Sequence, residues 1–263
     1  MSISRDHTRS GTVLWLTLDR PERLNALDAG ARHDLAHSLE HASTDPDIRV
    51  IVLTGRGERA FCAGQDVSES AAMEAGDAGR WMDSWHRFFD AVGNCSKPLI
   101  AAINGTAAGA GLQLALLADL RVAVPDARLL MAEVNVGLPA IVGSHLLDVH
   151  LGQSRMRELV LSGRSVTCRE AADWGLIHHL TAPHDLTDKA SRLADKIAEK
   201  PPVARELTLS FLRRLSRAAL ADAEAAAARY QTEAVATGEP QVAMQSFLAT
   251  RRSRGATTTP EET

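Results

Sequence analysis

Cysteine is scarce in this chain, and the three present, Cys62, Cys95 and Cys168, are widely scattered. They are too few for a disulfide framework and wrongly spaced for a CxxC metal knuckle, so a reducing compartment suits them best. A surplus of charge is also missing. Lys plus Arg number 29 against 33 Asp plus Glu, a net charge of −4 with histidines neutral. No broad positive field exists to hold nucleic acid. Long apolar runs are absent too: the nearest approach, LIAAINGTAAGAGLQLALLAD, is broken by Asn104, Gln113 and three glycines, which argues against a bilayer-spanning helix. The opening MSISRDHTRS lacks the apolar core of a secretion signal, and the closing EET is no peroxisomal SKL-type address. The expectation is a cytoplasmic protein with neither nucleic acid nor membrane as partner.

What is present is an ordinary globular composition, 45% apolar and 24% charged over 263 residues. That length leaves one large domain or two small ones open, and a chain of this size buries roughly three quarters of its unfolded surface. TVLWLTL at 12–18 predicts a strand stopped by Pro21, and Leu35 and Leu39 mark a helix over about 29–41. IRVIVLTG reads as a strand buried on both faces, and the following RGERAFCAGQDVSES as a loop. Small and acidic residues at 71–77 predict a mobile loop before an amphipathic helix carrying Trp81, Trp85, Phe88 and Phe89. KPLIAAI then predicts a strand, NGTAAGAG a turn, LQLALLAD a buried helix and LRVAVP another strand. Helices are expected near 143–151, 153–162 and 167–173, then a strand GLIHHLT, then helices alone beyond residue 185. Tail helices with little core of their own must bury a face against the body or a neighbouring subunit.

Two loops are candidates for chemistry, AFCAGQD at 60–66 and NGTAAGAGLQ at 104–113, because each follows a buried strand and is rich in small residues. Such loops often just satisfy tight turns. They also let backbone approach a ligand, and N–H groups at a helix mouth favour negative charge, so the two side by side would make an oxyanion hole. Other features carry less. The glycine spacing at 105–111 does not fit G-x-G-x-x-G, and no GK[ST] follows. Cys62 reads as a small buried residue instead of a nucleophile, since no histidine is marked as its base. His33, His37 and His41 share a helix face without a carboxylate signature, which suits a solvated face, not a metal site. His145 is given no role.

In order along the chain, LDRPERLNALD, VIVLTGRGERAFCAGQD, PLIAAINGTAAGAGLQLALLAD and AEVNVGLPA resemble the crotonase (enoyl-CoA hydratase/isomerase) superfamily over about residues 10–185. The resemblance implies an α/β spiral of ββα repeats over 1–194, with a helical trimerisation segment over 195–263. It implies a homotrimer or dimer of trimers acting on acyl-CoA thioesters. No separate cofactor is implied, coenzyme A entering as part of the substrate, and no metal. By motif position the oxyanion donors are the backbone N–H groups of Gln65 and Ala110, the latter standing where the family commonly has glycine. CoA would meet the backbone of Arg23 and Leu24 and the carbonyl of Ala63, with Arg23 near a phosphate. Arg251, Arg252 and Arg254 would contact phosphate or simply form a solvated basic tail. Trp81, Trp85 and Phe88 would line the acyl pocket or belong to the core.

The acid–base positions depart from the hydratase pattern. Where hydratases carry a first glutamate stands Gln113, and the second corresponds to Glu133. Apolar neighbours Leu129, Leu130, Met131, Val134 and Val136 would raise that carboxyl's pKa, unless it simply faces solvent at a strand end. An amide orients water but takes no proton from it. Moving a double bond needs only one base, so the expectation is a Glu133-dependent isomerase. The alternatives are a hydratase with Gln113 in place of one glutamate, a decarboxylase or thioester hydrolase using the same oxyanion hole, and a non-catalytic acyl-CoA-binding scaffold.

Overall fold

The computed structural model describes residues 2–8, 11–71 and 78–256. The first strands, β1 (Ile3–His7) and β2 (Val13–Leu18), pair antiparallel. From there the chain winds between two sheets. β3 (Val50–Gly55), β5 (Leu99–Ile103), β7 (Leu120–Ala123) and β10 (His179–Leu180) extend the first sheet in parallel, in the order β1-β2-β3-β5-β7-β10. β4 (Ala60–Cys62), β6 (Thr106–Ala108), β8 (Arg128–Leu130) and β9 (Val166–Thr167) form the second, in that order. Each of the pairs β3/β4, β5/β6 and β7/β8 leaves one strand in each sheet before the chain moves over by a strand. This is the expected ββα spiral. β3 and β5 are buried on both faces apart from the half-buried Thr54, which suits their unbroken apolar sequences.

The short strands of the second sheet are where sequence reading falls short. The expected loop at 56–70 contains β4 and then α2 (Val67–Ala71), and the expected turn NGTAAGAG contains β6. Three residues show no alternation to read. β1 was also unforeseen, and the closing strand is only His179–Leu180. The loop expected before the aromatic helix lies, over residues 72–77, outside the described residues.

Helices fill the spaces between the sheets and cover them. α1 (Ala29–Thr44) starts at Asp28, whose side chain accepts the N–H of Ala31 at 2.8 Å. α3 (Ala78–Gly93) follows the undescribed segment. α4 (Ala110–Leu117) is buried from Ala110 to Leu116 and runs from the β6 loop into the core. Its carboxyl end is closed by the buried Arg121, which donates to the carbonyls of Ala118 at 2.8 Å and Leu176 at 2.7 Å. A cation there complements the helix dipole. α5 (Ile141–Ser162) holds both helices expected around Gly152, where φ is +74°. α6 (Cys168–Asp173) is capped by Thr167.

α7 (Leu186–Ala198) lays Leu186, Ala190, Ala194 and Ala198 on the first sheet, so the expected body–tail boundary after residue 194 falls inside a helix that belongs with the sheet. α8 (Pro202–Ala236) and α9 (Glu239–Ala256) follow. α8 packs on α5 and α3, and Arg213 pins it to the body through Asp119 at 2.8 Å. Among the described residues no helix is long and apolar enough to cross a membrane.

Candidate active site

Arg20 organises the first wall of the site. Its guanidinium donates to the carbonyl of Ala26 at 2.6 Å and pairs with Asp28 at 2.9 Å and Asp66 at 3.1 Å. The buried Asn25 accepts the Arg20 N–H and donates to the carbonyls of Arg56 and Ala60. These contacts hold Leu24 and Asn25 in the left-handed region, at φ +54° and +56°. Segment 24–27 consequently runs beside 63–66: Ala63 N–H donates to Leu24 at 3.0 Å, Leu27 N–H to Gly64 at 2.7 Å and Asp66 N–H to Leu27 at 3.1 Å. Arg23, Leu24 and Ala63 thus lie together, as do the two expected chemical loops. Gly64 has φ +91°, and a methyl group there would stand 2.5 Å from the Ala108 carbonyl oxygen and 3.4 Å from the Ala110 nitrogen. Only glycine lets the loops approach so closely. Ala110 opens α4, so its N–H has no intrahelical acceptor.

Glu133 stands across from this helix mouth. A methyl group on Gly109 would lie 3.5 Å from Glu133 Oε1. Gln113 Nε2, one turn into α4, donates to the same oxygen at 2.6 Å. Glu133 Oε2 is buried without a partner. Burial pushes this carboxyl up to about 7, against smaller opposing effects of hydrogen bonds from its own backbone and from Gln113. A solvent-facing glutamate is therefore not what the fold makes here.

These groups open onto a cavity of about 970 Å³. Arg23, Leu24, Ala63, Gln65, Ala110, Gln113 and Glu133 all line it, and Trp81 and Trp85 line its far wall. Phe88 does not. It is fully buried in the core, and its neighbour Phe89 reaches the cavity instead, because a stripe three to four residues apart admits only one of two adjacent aromatics to a given face. Sequence reasoning missed the tail's part in this wall: Glu224 and neighbouring alanines of α8, with Met244, Phe247 and Leu248 of α9, close the cavity of their own chain. The alanine-rich ADAEAAAARY was the available signal, since small side chains let a helix lie over a ligand space. His86 Nδ1 lies 2.8 Å from Glu224 Oε2 and ties α3 to α8 at the rim. The side chains of Arg251, Arg252 and Arg254 lie outside the described residues.

The remaining candidates stay outside the chemistry. Cys62 is buried, and desolvation raises its thiol to about 12. His33 and His37 stack in solvent, and no group of His, Cys, Asp or Glu among the described residues could hold a metal ion. His145 does not line the cavity.

Comparison with known proteins adds independent findings. The enoyl-CoA hydratase/isomerase family pattern matches residues 8–254. The 2,3-dehydroadipyl-CoA hydratase of Escherichia coli (strain K12) is 37% identical over 246 residues, 93% of this chain and 95% of that protein. The (E)-benzylidenesuccinyl-CoA hydratase of Thauera aromatica is 36% identical over 200 residues, 76% of this chain and 78% of that one. Among solved structures, an enoyl-CoA hydratase/isomerase from Pseudoalteromonas atlantica T6c superposes with a TM-score of 0.86 at 28% identity, covering 95% of this chain and 98% of that chain.

Proposed function

This chain belongs to the enoyl-CoA hydratase/isomerase family, and from that premise we propose that it moves the double bond of an enoyl-CoA thioester with Glu133 as its single acid/base. The observation that carries this reading is the group beside Glu133: an amide, Gln113, at 2.6 Å. In the proposed reaction Glu133 removes a proton from C2 of a 3-enoyl thioester. The electrons move onto the thioester oxygen, whose charge the N–H groups of Gln65 and Ala110 stabilise together with the amino end of α4. Glu133 then returns the proton at C4, leaving a 2-enoyl thioester. A carboxyl near 7 is suited to both steps, being a base when ionised and an acid once protonated. Arg23, Leu24 and Ala63 are assigned to the CoA moiety, Trp81 and Trp85 to the acyl group. No cofactor besides the substrate's own coenzyme A is required.

A second reading, hydration of a 2-enoyl thioester, is favoured by the hydratase names of the relatives. There Gln113 would orient water and Glu133 would handle the protons. Wild-type and Glu133→Gln protein incubated with 2-enoyl, 3-enoyl and malonyl-type CoA esters in D2O, with mass spectrometry, separate the readings. The isomerase reading expects 3-enoyl to 2-enoyl conversion and C2 exchange, both lost in Glu133→Gln. Rapid hydration of crotonyl-CoA without isomerisation would give the site to the hydratase, and release of carbon dioxide or free CoA to a decarboxylase or hydrolase. Failure to bind any ester would leave only a scaffold role.

Self-association is part of the same proposal. Leu207, Phe211, Leu212 and Leu215 of α8 expose between about half and two thirds of their surface, an apolar ridge that a neighbouring copy would cover. A homotrimer or a dimer of trimers is expected by native mass spectrometry, and a monomer at micromolar concentration would refute it. Three buried free thiols fit the proposed cytoplasmic setting.

A further inference from the structure

Glu224 is a buried titratable side chain for which the proposed proton chemistry has no use. It lies on α8 in the far wall of the cavity, with its side chain only 10% exposed. One carboxyl oxygen, Oε2, is taken by His86 Nδ1 at 2.8 Å. The other, Oε1, accepts no hydrogen bond from the described residues, yet it is not sealed off as the indole nitrogens of Trp81 and Trp85 are. A carboxylate has room for about four hydrogen bonds, so a single donor leaves it short. Its titration agrees: burial pushes the carboxyl above its usual value, the hydrogen bond and charge of His86 pull it back only in part, and Asp90 adds a small upward push.

Its companions in the wall are mostly short or apolar. Four of the six α8 residues lining the cavity are alanines, Ala221, Ala225, Ala227 and Ala228, which leave room beside the carboxylate. Trp85, Phe89, Met244 and Phe247 add apolar surface to the same cavity. Asp83 lines it as well, but that side chain is exposed and meets water instead. An acceptor left unmet in such a setting is costly, and a ligand that brings the missing donor removes the cost. We propose that the acyl end of the cavity takes thioesters whose acyl group carries a hydrogen-bond donor beyond the reacting carbons, and that Glu224 is the specificity-determining residue that accepts it. This deepens the acyl-CoA reading and rests on it. A hydroxyl and an ammonium group offer the same contact and differ in charge, so each is an arm of the test.

The test compares enoyl-CoA esters matched in length and ending in an alkyl, hydroxyl, ammonium or methyl ether group, over a series of increasing acyl length, in wild-type and Glu224→Ala protein. The ether is the sharpest control, since it accepts but does not donate. In wild type, kcat/KM for the hydroxyl or the ammonium ester is expected to exceed that for the ether and alkyl esters about tenfold or more, at the length that reaches Glu224. An excess for the ammonium ester alone assigns the donor to a cation, and one for the hydroxyl ester to a neutral group. Glu224→Ala should erase the ratio, because the donor then meets no acceptor. A purely structural tie between α3 and α8 would lower all four esters in parallel and keep the ratio, and that outcome overturns the proposal. So does a ratio near one at every length in wild type, a result that depends on no variant folding. If wild type turns over ether and alkyl esters as well as the others, the acyl-CoA reading stands and this one falls; if it neither binds nor turns over any ester, the acyl-CoA reading itself fails.

Discussion

Replacing Glu133 by glutamine should do two things at once: abolish proton transfer and stabilise the fold in a pH-dependent way. In the folded protein burial raises the carboxyl to about 7, while the unfolded chain returns it to an ordinary value near 4.5. The folded state therefore holds a proton that the unfolded state has released, and stability falls as pH rises from about 4.5 to about 7. Above that window the ionised carboxylate costs the fold about 3 kcal/mol, at 1.36 kcal/mol per pH unit between about 4.5 and about 7. At pH 5 the same relation gives only about 1 kcal/mol. Glutamine never ionises, and its amide oxygen still accepts from Gln113. The stability of Glu133→Gln relative to wild type should thus increase by about 2.5 kcal/mol between pH 5 and pH 8, or about 5–10 °C in Tm at this chain length. Paired thermal or urea unfolding at several pH values measures the difference. A difference that stays flat across this range would refute the claim that the Glu133 carboxyl is desolvated with an elevated pKa, and with it the physical basis for its proposed role as a base.

Three further predictions address the groups around Glu133. Gln113→Ala removes a hydrogen bond that favours the ionised form, so the rising limb of kcat/KM against pH, expected near 7 in wild type, should move to higher pH; an unmoved limb would separate Gln113 from the base. Gly64→Ala puts a methyl group 2.5 Å from the Ala108 carbonyl at φ +91°, and should destabilise the protein by about 1–3 kcal/mol and lower kcat by disturbing the two loops proposed to hold the oxyanion, checked by unfolding and steady-state kinetics. Cys62 should resist iodoacetamide in the native protein at pH 8 while reacting after denaturation, because burial holds its thiol near 12; rapid native labelling with loss of activity would give it a role the geometry denies.

The spiral was legible because its central strands are long apolar runs: IRVIVLTG and KPLIAAI announce β3 and β5 by composition alone. β4, β6 and β8 were not, since a three-residue strand is held by its neighbours in the second sheet and leaves no periodic trace. The same distinction divides the site. Gln65, Ala110, Gln113 and Glu133 fall on ordered motifs and were readable, and the apolar neighbours of Glu133 forecast the direction of its pKa. The far wall was less so. Its contributors on α8 and α9 are more than 80 residues from Glu133 in sequence, and their apolar pattern is weak because the helices serve a cavity on one side and leave an exposed ridge on the other. A helix asked to meet both a ligand space and a neighbouring copy has no single solvent face, so its hydrophobic residues are spread around it and periodicity fades. The far wall of the cavity is therefore written, on α8 and α9, where sequence pattern is poorest.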